Sequence, residues 1–470
     1  MSSELFQYDS LKAVILYLEA NLRIQLSRHA PSLRVVEKLI PLRIDSLSFE
    51  VHTSAVVINH TSYKLGILKN YPSYLKAPKY VQKENAAGGL PYEMDDYGFR
   101  NDSWEGTPGD IDYRPEHPNI VPANAFPLDP ETDESIERDT HRYYQELLNL
   151  RLVYEALRFY LKDTVATASD DNIVDAVMRS LENFDQHRIG TPIAVIEDGL
   201  HKSRDRIQSY VYLKNQTPAP WTQILQLTIS SKSQGTLIQR YQSKEYSHAL
   251  KQLTTILLGA RSCTVLANKL AIAYMPEFVR LPDGLKIWTK HLAAPFEAFE
   301  PLRVVLEHSS FPLKTLTICD ARPDVIRGQK EHPMLQGLQE LNLDNYMCWS
   351  RWPGIIRNHI PNIPVINIRG GVIREEVYAW KAFLQNMVED GRSLGTRVTV
   401  GVFELDEVEE FKSLVRRTYG ILEERSISIP MNNGLILGLS HEENPNAISD
   451  QNFTENIPRW TLVMEVKEEN

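Results

Sequence analysis

The chain has 470 residues, of which 42% are apolar, and carries a formal net charge of -10 with a pI near 5.8. This acidity argues against partners that are bound through phosphate, so we expect neither a nucleic acid nor a membrane surface as a partner. No apolar run reaches the ~18 residues of a membrane span, and no secretory signal is visible at the N-terminus. The three cysteines fit free thiols in a reducing compartment, which predicts a cytoplasmic or nuclear protein.

Residues 1–41 are predicted to form three short helices. Ser10 stands at the expected N-cap of the first helix, and Pro31 separates the second helix from the third. Apolar residues recur at helical spacing on the first two helices, namely Leu11, Val14, Ile15, Leu18, Leu22 and Leu26.

The next three segments differ in pattern. Residues 42–67 alternate with period two and are predicted to form a β-hairpin, with residues 59–62 as the turn. Residues 68–131 contain nine prolines and many aromatics, which predicts an extended surface segment that is partly ordered by its rings. Residues 132–218 are predicted to be a predominantly helical region, in which apolar residues follow one helical face.

Residues 219–470 contain a sequence period. LKTLTI begins at Leu313, LQELNL at Leu338 and IPVINI at Ile363, so the same Leu/Ile pattern returns every 25 residues. A strand and its connection repeated every 20–30 residues are typical of leucine-rich repeats, and the alternative is an ordinary βαβ domain with regularly spaced strands. Looser copies begin at Ala267, Thr289, Gly395 and Glu424.

Further elements surround the hexads. We predict a hairpin over 223–243, a helix that ends at Gly259, and a C-terminal hairpin from 434–439 and 460–466. Two longer helices follow the last hexads, the second of which is expected to be capped by Asp406.

Motifs of catalysis and metal binding are not found. The sequence has no phosphate-binding loop, no dinucleotide-binding glycine pattern, no zinc-ligand pair and no nucleophile elbow. Cys348 and His359 suggest a thiol–imidazole pair, but burial in a core is the simpler interpretation. We therefore expect no catalytic residue, metal or cofactor, and an enzyme with an unrecognised site is kept as an alternative.

Several segments resemble a known family. Residues 14–36, VILYLEANLRIQLSRHAPSLRVV, resemble an F-box. In the same order along the chain, further segments resemble the nematode F-box C family, whose common region is a domain of unknown function: YDSLKAVILYLEANLRI, PSLRVVEKLIPLRIDSLSF, SYKLGI, GGLPYEMDDYGFR, PGDI and ILQLTI. The resemblance implies an F-box-like head. Its six apolar residues on the first two helices are expected either to dock a Skp-type adaptor or to fill the core of the head itself.

The hexads also predict a second surface. Positions one, four and six should face the core, and the intervening side chains should project outward. We expect Thr317, Asn342 and Asn367 to lie on neighbouring parallel strands and, with Arg369, to contact a protein partner.

The predicted fold class is α/β, with F-box-like helices and a β-hairpin, a helical middle, and a leucine-rich-repeat-like strand/helix solenoid with a parallel sheet. The predicted function is that of a protein-interaction adaptor, in its specific form the substrate-receptor subunit of a cullin–RING ubiquitin ligase. The alternative is a leucine-rich-repeat-like binding module with no ligase link.

Overall fold

The computed structural model describes residues 2–50, 54–101, 106–112, 208–209, 211–213, 215–232, 235–242, 245–273, 278–319, 331–344, 356, 363–369, 377–421, 427–444 and 458–469. Most of the predicted helical region 132–218, the pair Cys348 and His359, and part of the proline-rich segment 68–131 lie outside these residues.

The described α-helices are α1 Ser2–Tyr17, α2 Ala20–His29, α3 Pro31–Lys38, α4 Lys79–Ala86, α5 Tyr246–Leu258, α6 Phe299–Val305, α7 Val377–Glu389 and α8 Leu405–Tyr419. Three helices at the N-terminus were expected, but the N-cap at Ser10 is wrong. No glycine or proline interrupts the residues before Ser10, and α1 therefore continues back to Ser2. The prediction that Asp406 caps α8 is wrong, since Glu404 is the N-cap residue. Asp406 lies in the first turn, where its carboxylate interacts favourably with the helix dipole.

Most strands belong to one 15-stranded mixed sheet. Its order is β15-β16-β17-β14-β13-β12-β11-β10-β7-β1-β2-β3-β5-β6, with β9 beside β7, while β4 and β8 form a separate pair. The strands are β1 Arg43–Glu50, β2 Ala55–Ile58, β3 Thr61–Asn70, β4 Ile111–Asp112, β5 Thr222–Ser231, β6 Gly235–Tyr241, β7 Val265–Ala273, β8 Phe278–Val279, β9 Ile287–Trp288, β10 His291–Pro295, β11 Thr315–Cys319, β12 Glu340–Asp344, β13 Val365–Arg369, β14 Arg397–Val402, β15 Ile427–Pro430, β16 Ile436–Glu443 and β17 Trp460–Lys467.

The repeated hexads form a parallel block. The strands β7, β10, β11, β12, β13 and β14 are parallel neighbours in this order. Thr317 lies opposite Asn342, and Asn342 lies opposite Asn367, which confirms that these three residues share neighbouring parallel strands. Hexads that are 25 residues apart in the sequence therefore place their equivalent positions opposite one another on β11, β12 and β13.

The copy that begins at Glu424 does not extend this block, and that part of the prediction is wrong. β17 pairs antiparallel with β14 and takes the place that a further parallel strand would need. β15 instead pairs antiparallel with β16 at the edge of the sheet. The alternation of apolar and polar residues in a hexad fits a strand that pairs either parallel or antiparallel. The pattern alone therefore does not determine the direction of pairing.

The three predicted hairpins are present. β2 and β3 pair antiparallel around Asn59 and His60, β5 pairs with β6, and β16 pairs with β17. β1 additionally pairs in parallel with β7, so the strands of residues 42–67 belong to the same sheet as the hexads.

One apolar cluster runs along the sheet. Within the parallel block, the inward residues Leu316, Leu341, Ile366 and Val398 are fully buried, and buried residues of α5 to α8 belong to the same cluster. On the other face of these strands most of the alternate residues are half-buried, while Lys269 and Arg369 are exposed. Among the described helices, none combines the length and the apolar character that crossing a membrane would require.

Candidate interaction surfaces

A hydrogen-bonded row of side chains crosses the outer face of the parallel block. Asn342 Nδ2 donates to Thr317 Oγ1 over 3.3 Å, and Asn367 Nδ2 donates to Asn342 Oδ1 over 2.8 Å. Thr399 Oγ1 donates to Asn367 Oδ1 over 2.7 Å. We call these four residues the polar ladder. Its donors all point in one direction, from β14 towards β11.

Thr399 was missed as a surface residue by the sequence analysis, although the signal was present. It holds the fifth position of the hexad that begins at Gly395, as Thr317 does in the hexad that begins at Leu313. On the far side of Thr317, the same row continues through Ala293 and Ala271. The row therefore changes from amides and hydroxyls to small apolar side chains between β11 and β10.

A second row runs beside the ladder and carries charges. Lys269, His291, Thr315 and Glu340 are successive partners on β7, β10, β11 and β12. Glu340 accepts hydrogen bonds from Thr315 Oγ1 over 3.3 Å and from Asn367 Nδ2 over 3.1 Å. Burial lowers the pKa of His291, and the cations Lys314 and Lys269 lower it further, while Glu340 acts in the opposite direction.

Arg369 lies on the same face, at the carboxyl end of β13. It is the partner of Asp344 in the register of the sheet, and its Nε lies 3.5 Å from Asp344 Oδ1. The Arg369 side chain is 70% exposed. Burial raises the pKa of Asp344 above its ordinary value, and Arg369 opposes this shift. The predicted residues Thr317, Asn342, Asn367 and Arg369 thus do lie on one face.

The head consists of α1, α2 and α3, and its six predicted residues separate into two groups. Ile15 is buried against Val36 of α3 and against Ile40, which follows that helix. Leu11 and Leu18 are half-buried. Val14, Leu22 and Leu26 are exposed by 57%, 41% and 37%. Packing of α1 on α3 thus takes part of the apolar stripe into the interior, while Val14, Leu22 and Leu26 stay at the surface.

Other apolar side chains of the head are also exposed. Of sixteen exposed large apolar residues in the described part of the chain, six lie between residues 14 and 39. This set, which we call the apolar head residues, consists of Val14, Tyr17, Leu22, Leu26, Val35 and Leu39. Exposed apolar side chains are therefore concentrated on these three helices.

The head is fixed to the body by buried charges. Glu37 Oε1 lies 3.0 Å from Arg23 Nη2 and 2.8 Å from Arg261 Nη1, and all three side chains are at most 3% exposed. Arg23 also donates to the carbonyl oxygens of Pro41 and Ile40, over 2.8 and 2.9 Å. We call Arg23, Glu37 and Arg261 the head clamp. Burial is the main cause that lowers the pKa of Arg23, and the Glu37 carboxylate counteracts it.

Two further contacts support the clamp. Lys38 Nζ donates to Gly259 O over 2.5 Å at the end of α5, and burial, reinforced by Arg261, lowers the pKa of Lys38 to about 8. Asn21 Nδ2 donates to Ile58 O over 3.0 Å, and Tyr63 OH donates to Asn21 Oδ1 over 3.0 Å. The head and the sheet are thus connected through two separate sets of polar contacts.

A shallow open depression of about 470 Å³ lies beside α6, lined in part by Lys286, Glu300 and Arg303. His332 Nε2 lies 3.1 Å from Glu300 Oε1, and burial lowers the pKa of His332. Across the described ranges, no group of three or more His, Cys, Asp or Glu side chains is placed to hold a metal ion. Among the described residues, Cys263 and Cys319 are not joined in a disulfide.

Residues 245–404 match a family model described as a domain of unknown function (DUF3557). The matched region, which is less than half of the chain, starts just before α5, ends just before α8, and contains the whole polar ladder. The head lies outside it. No curated protein and no solved structure matches the chain.

Proposed function

We propose that the protein is a protein-interaction adaptor, whose head docks a Skp-type subunit of a cullin–RING ubiquitin ligase and whose sheet face holds a protein substrate. This is the function that the resemblance to the nematode F-box C family implies. The observation that carries the proposal is the concentration of exposed apolar side chains on α1, α2 and α3.

Exposure of these side chains costs free energy that binding would recover. Tyr17 is 84% exposed and Val35 is 68% exposed. Full burial of one such side chain is worth about 1.5–3 kcal/mol. The fold itself uses a different set of head residues for its core, including Ile15, Ala20 and Ile24. The apolar head residues are therefore available to a partner without loss of the packing that holds the head.

The head clamp gives the proposal a geometric basis. Because Arg261 follows α5 and the other two members of the clamp belong to α2 and α3, the ion pairs tie the head to the body. A substrate receptor has to hold its substrate at a defined position relative to the ligase. A head fixed by buried charges meets this requirement better than a head on a free linker.

The sheet face supplies the substrate side of the proposal. The parallel block, with one strand per repeat and polar residues directed outward, is similar to the arrangement of leucine-rich repeats. Rigid strands present side chains at fixed spacing, and this suits recognition of a protein surface. Arg369 is an exposed arginine, a residue type that frequently anchors protein interfaces.

The proposal is tested by recovery of a purified Skp-type adaptor on the immobilised full chain. The double variant Leu22→Asp/Leu26→Asp places charges on exposed positions of α2 and should reduce recovery at least tenfold. The control variant Val304→Asp/Leu394→Asp changes two exposed apolar residues outside the head and should bind as the wild type does. Failure of the wild type to bind, or equal loss in both variants, would contradict the docking proposal.

The second candidate function is a binding module without a ligase link, and the polar ladder favours it. The ladder and the neighbouring charged row lie on strands of the body, and their contacts involve no head residue. If the adaptor does not bind while the sheet face binds a polypeptide, this second function is the correct one.

A further inference from the structure

We propose that the sheet face between β1 and β11 binds an acidic, extended segment of the partner polypeptide. The proposal rests on the proposed function, since it names the chemistry of the substrate that the sheet face would hold. We call the residues concerned the basic hydroxyl patch: Ser46, Ser48, Lys269, His291, Lys314 and Thr317.

The patch consists of two rows, and Lys314 lies close enough to His291 for its charge to lower the pKa of that imidazole. In the first row, Ser46 is the partner of Lys269, and Lys269 is the partner of His291. The second row runs from Ser48 through two alanines to Thr317. The alanines carry only a methyl group, so the floor of the face is low between the two hydroxyl residues. Four strands at ~4.8 Å span roughly 14 Å, which accommodates four to five residues of an extended peptide.

The positive charge of the patch is not neutralised by described residues. Within the described ranges, no carboxylate forms an ion pair with Lys269 or Lys314, both of which are exposed. Lys290 lies nearby but is already engaged, since its amine donates to Ser310 O and lies 5.6 Å from the Trp288 ring centroid. In a chain with a net charge of -10, a local excess of cations is complementary to an acidic ligand.

Glu340 marks the border of the patch on the β12 side. Its two carboxylate oxygens are held by Thr315 and Asn367, so the side chain is directed into the face of β11 to β13. A negative charge fixed there would repel an acidic segment placed over the ladder itself. The acidic segment is therefore expected over β7 and β10, where Ala271 and Ala293 leave space.

The direction of the polar ladder supplies a donor at the same place. Thr317 Oγ1 accepts from Asn342, and among the described residues no acceptor is found for the hydrogen of the Thr317 hydroxyl. The ladder thus ends on an available O–H group next to Ala293, its partner on β10. A carboxylate is a strong acceptor for such a group, and bonds to a charged acceptor are stronger than neutral ones. The lysine cations and the Thr317 hydroxyl both favour the same ligand, a carboxylate.

The experiment measures binding of labelled peptides to the full chain by fluorescence anisotropy. The probe is a Gly/Ser peptide that contains four glutamates, and the matched peptides contain four glutamines or four lysines. We expect the glutamate peptide alone to bind, with an affinity that falls as salt is raised. Binding of the glutamine peptide with equal affinity, or no binding of the glutamate peptide, would overturn the inference.

Charge variants locate the site. Lys269→Glu/Lys314→Glu should weaken binding of the glutamate peptide at least tenfold, and Lys269→Gln/Lys314→Gln should also weaken it. The control Lys76→Glu/Lys83→Glu makes the same net change at exposed positions outside the patch and should have less than a twofold effect. Thr317→Val leaves the charge unchanged and should weaken binding about three- to tenfold. An equal loss in the control variant would overturn the assignment to this patch.

The two proposals fail separately. If the adaptor is recovered but the glutamate peptide does not bind, the ligase proposal stands and the acidic-segment inference is wrong. If the peptide binds at the patch but the adaptor is not recovered, the inference stands and the ligase link is wrong.

Discussion

Asp110 lies in the proline-rich segment, and its carboxylate joins this segment to the body. Oδ1 accepts from Lys251 Nζ over 2.7 Å and from the Leu281 backbone N–H over 3.0 Å. Oδ2 accepts from Arg280 Nη1 over 2.7 Å and from the Thr107 hydroxyl over 2.6 Å. Burial alone would raise the pKa of Asp110, but the hydrogen bonds from Lys251, Thr107 and Arg280 outweigh it and hold the pKa below its ordinary value.

Because the pKa of Asp110 is lowered in the folded state, the free energy of unfolding should depend on pH. Because its pKa is lower in the folded state, Asp110 stabilises the fold above its unfolded pKa of about 3.9 and loses this contribution as pH falls through the folded value. The variant Asp110→Asn should therefore be less stable than the wild type at pH 7, by about 3 kcal/mol, and the difference should shrink below about pH 4. Urea unfolding at pH 7, 5 and 3.5 measures it.

Asp283→Asn is the matched control, since this aspartate is exposed. It should leave stability nearly unchanged at each pH. A deficit of Asp110→Asn that is the same at pH 7 and at pH 3.5 would show that the charge of Asp110 has no part in the effect.

At the scale of elements, the head clamp joins α2, α3 and the segment after α5. Glu37 is the only anion of the clamp, so Glu37→Gln removes the one carboxylate that the described residues place against these two buried arginines. Removal of one member of a buried pair costs about 3–5 kcal/mol. We expect a loss of this size in urea unfolding, accompanied by faster proteolysis within α1 to α3.

The control for the clamp is Glu468→Gln, which changes an exposed glutamate near the C-terminus. It should alter the free energy of unfolding by less than about 0.5 kcal/mol. If Glu37→Gln proved equally harmless, the ion pairs would not hold the head.

β3 is packed against the turn at Gly88 and Gly89, and glycines on both segments make this possible. A Cβ atom on Gly66 would lie 2.1 Å from Gly88 O, and one on Gly89 would lie 2.6 Å from Ile67 O. Ile67 and Leu90 exchange backbone hydrogen bonds of 2.8 and 2.9 Å at this point. The glycines of SYKLGI and GGLPY are thus required by close approach of two backbone segments.

Gly66→Ala should destabilise the protein by about 1–3 kcal/mol, because a backbone atom has to move to admit the methyl group. Gly438→Ala on β16 is the control, since the nearest atom to its Cβ would be 3.5 Å away, an ordinary contact. Thermal unfolding of the two variants compares them directly. A Gly66→Ala variant as stable as the Gly438→Ala variant would contradict the close approach.

The sequence predicted those elements whose pattern reflects local periodicity, and it missed those that depend on pairing or burial of charge. The 25-residue hexads located β11, β12 and β13 and their register, because one face of each strand is buried. The same kind of pattern misplaced β15, since direction is set by the competing strand β17. Nothing in the sequence pattern indicated the head clamp, because the sequence does not distinguish a buried arginine or glutamate from a solvent-exposed one.

At the scale of the whole molecule, one mixed sheet and the helices fixed to it present two surfaces of different chemistry. The apolar head residues lie on helices beside the strands β1 to β3, and the polar ladder crosses the parallel block from β11 to β14. The clamp and the contacts of Asn21 fix the head relative to this sheet. The proposed adaptor function assigns the first of these surfaces to the ligase and the second to the substrate.

Hydrogen exchange of the full chain, measured by mass spectrometry with and without a purified Skp-type adaptor, tests this account most directly. If the head docks the adaptor, exchange should be slower in peptides from α1 to α3 when the adaptor is present, and unchanged in peptides from β11 to β14. Protection confined to the strands of the parallel block, or no protection of the three helices at saturating adaptor, would contradict it.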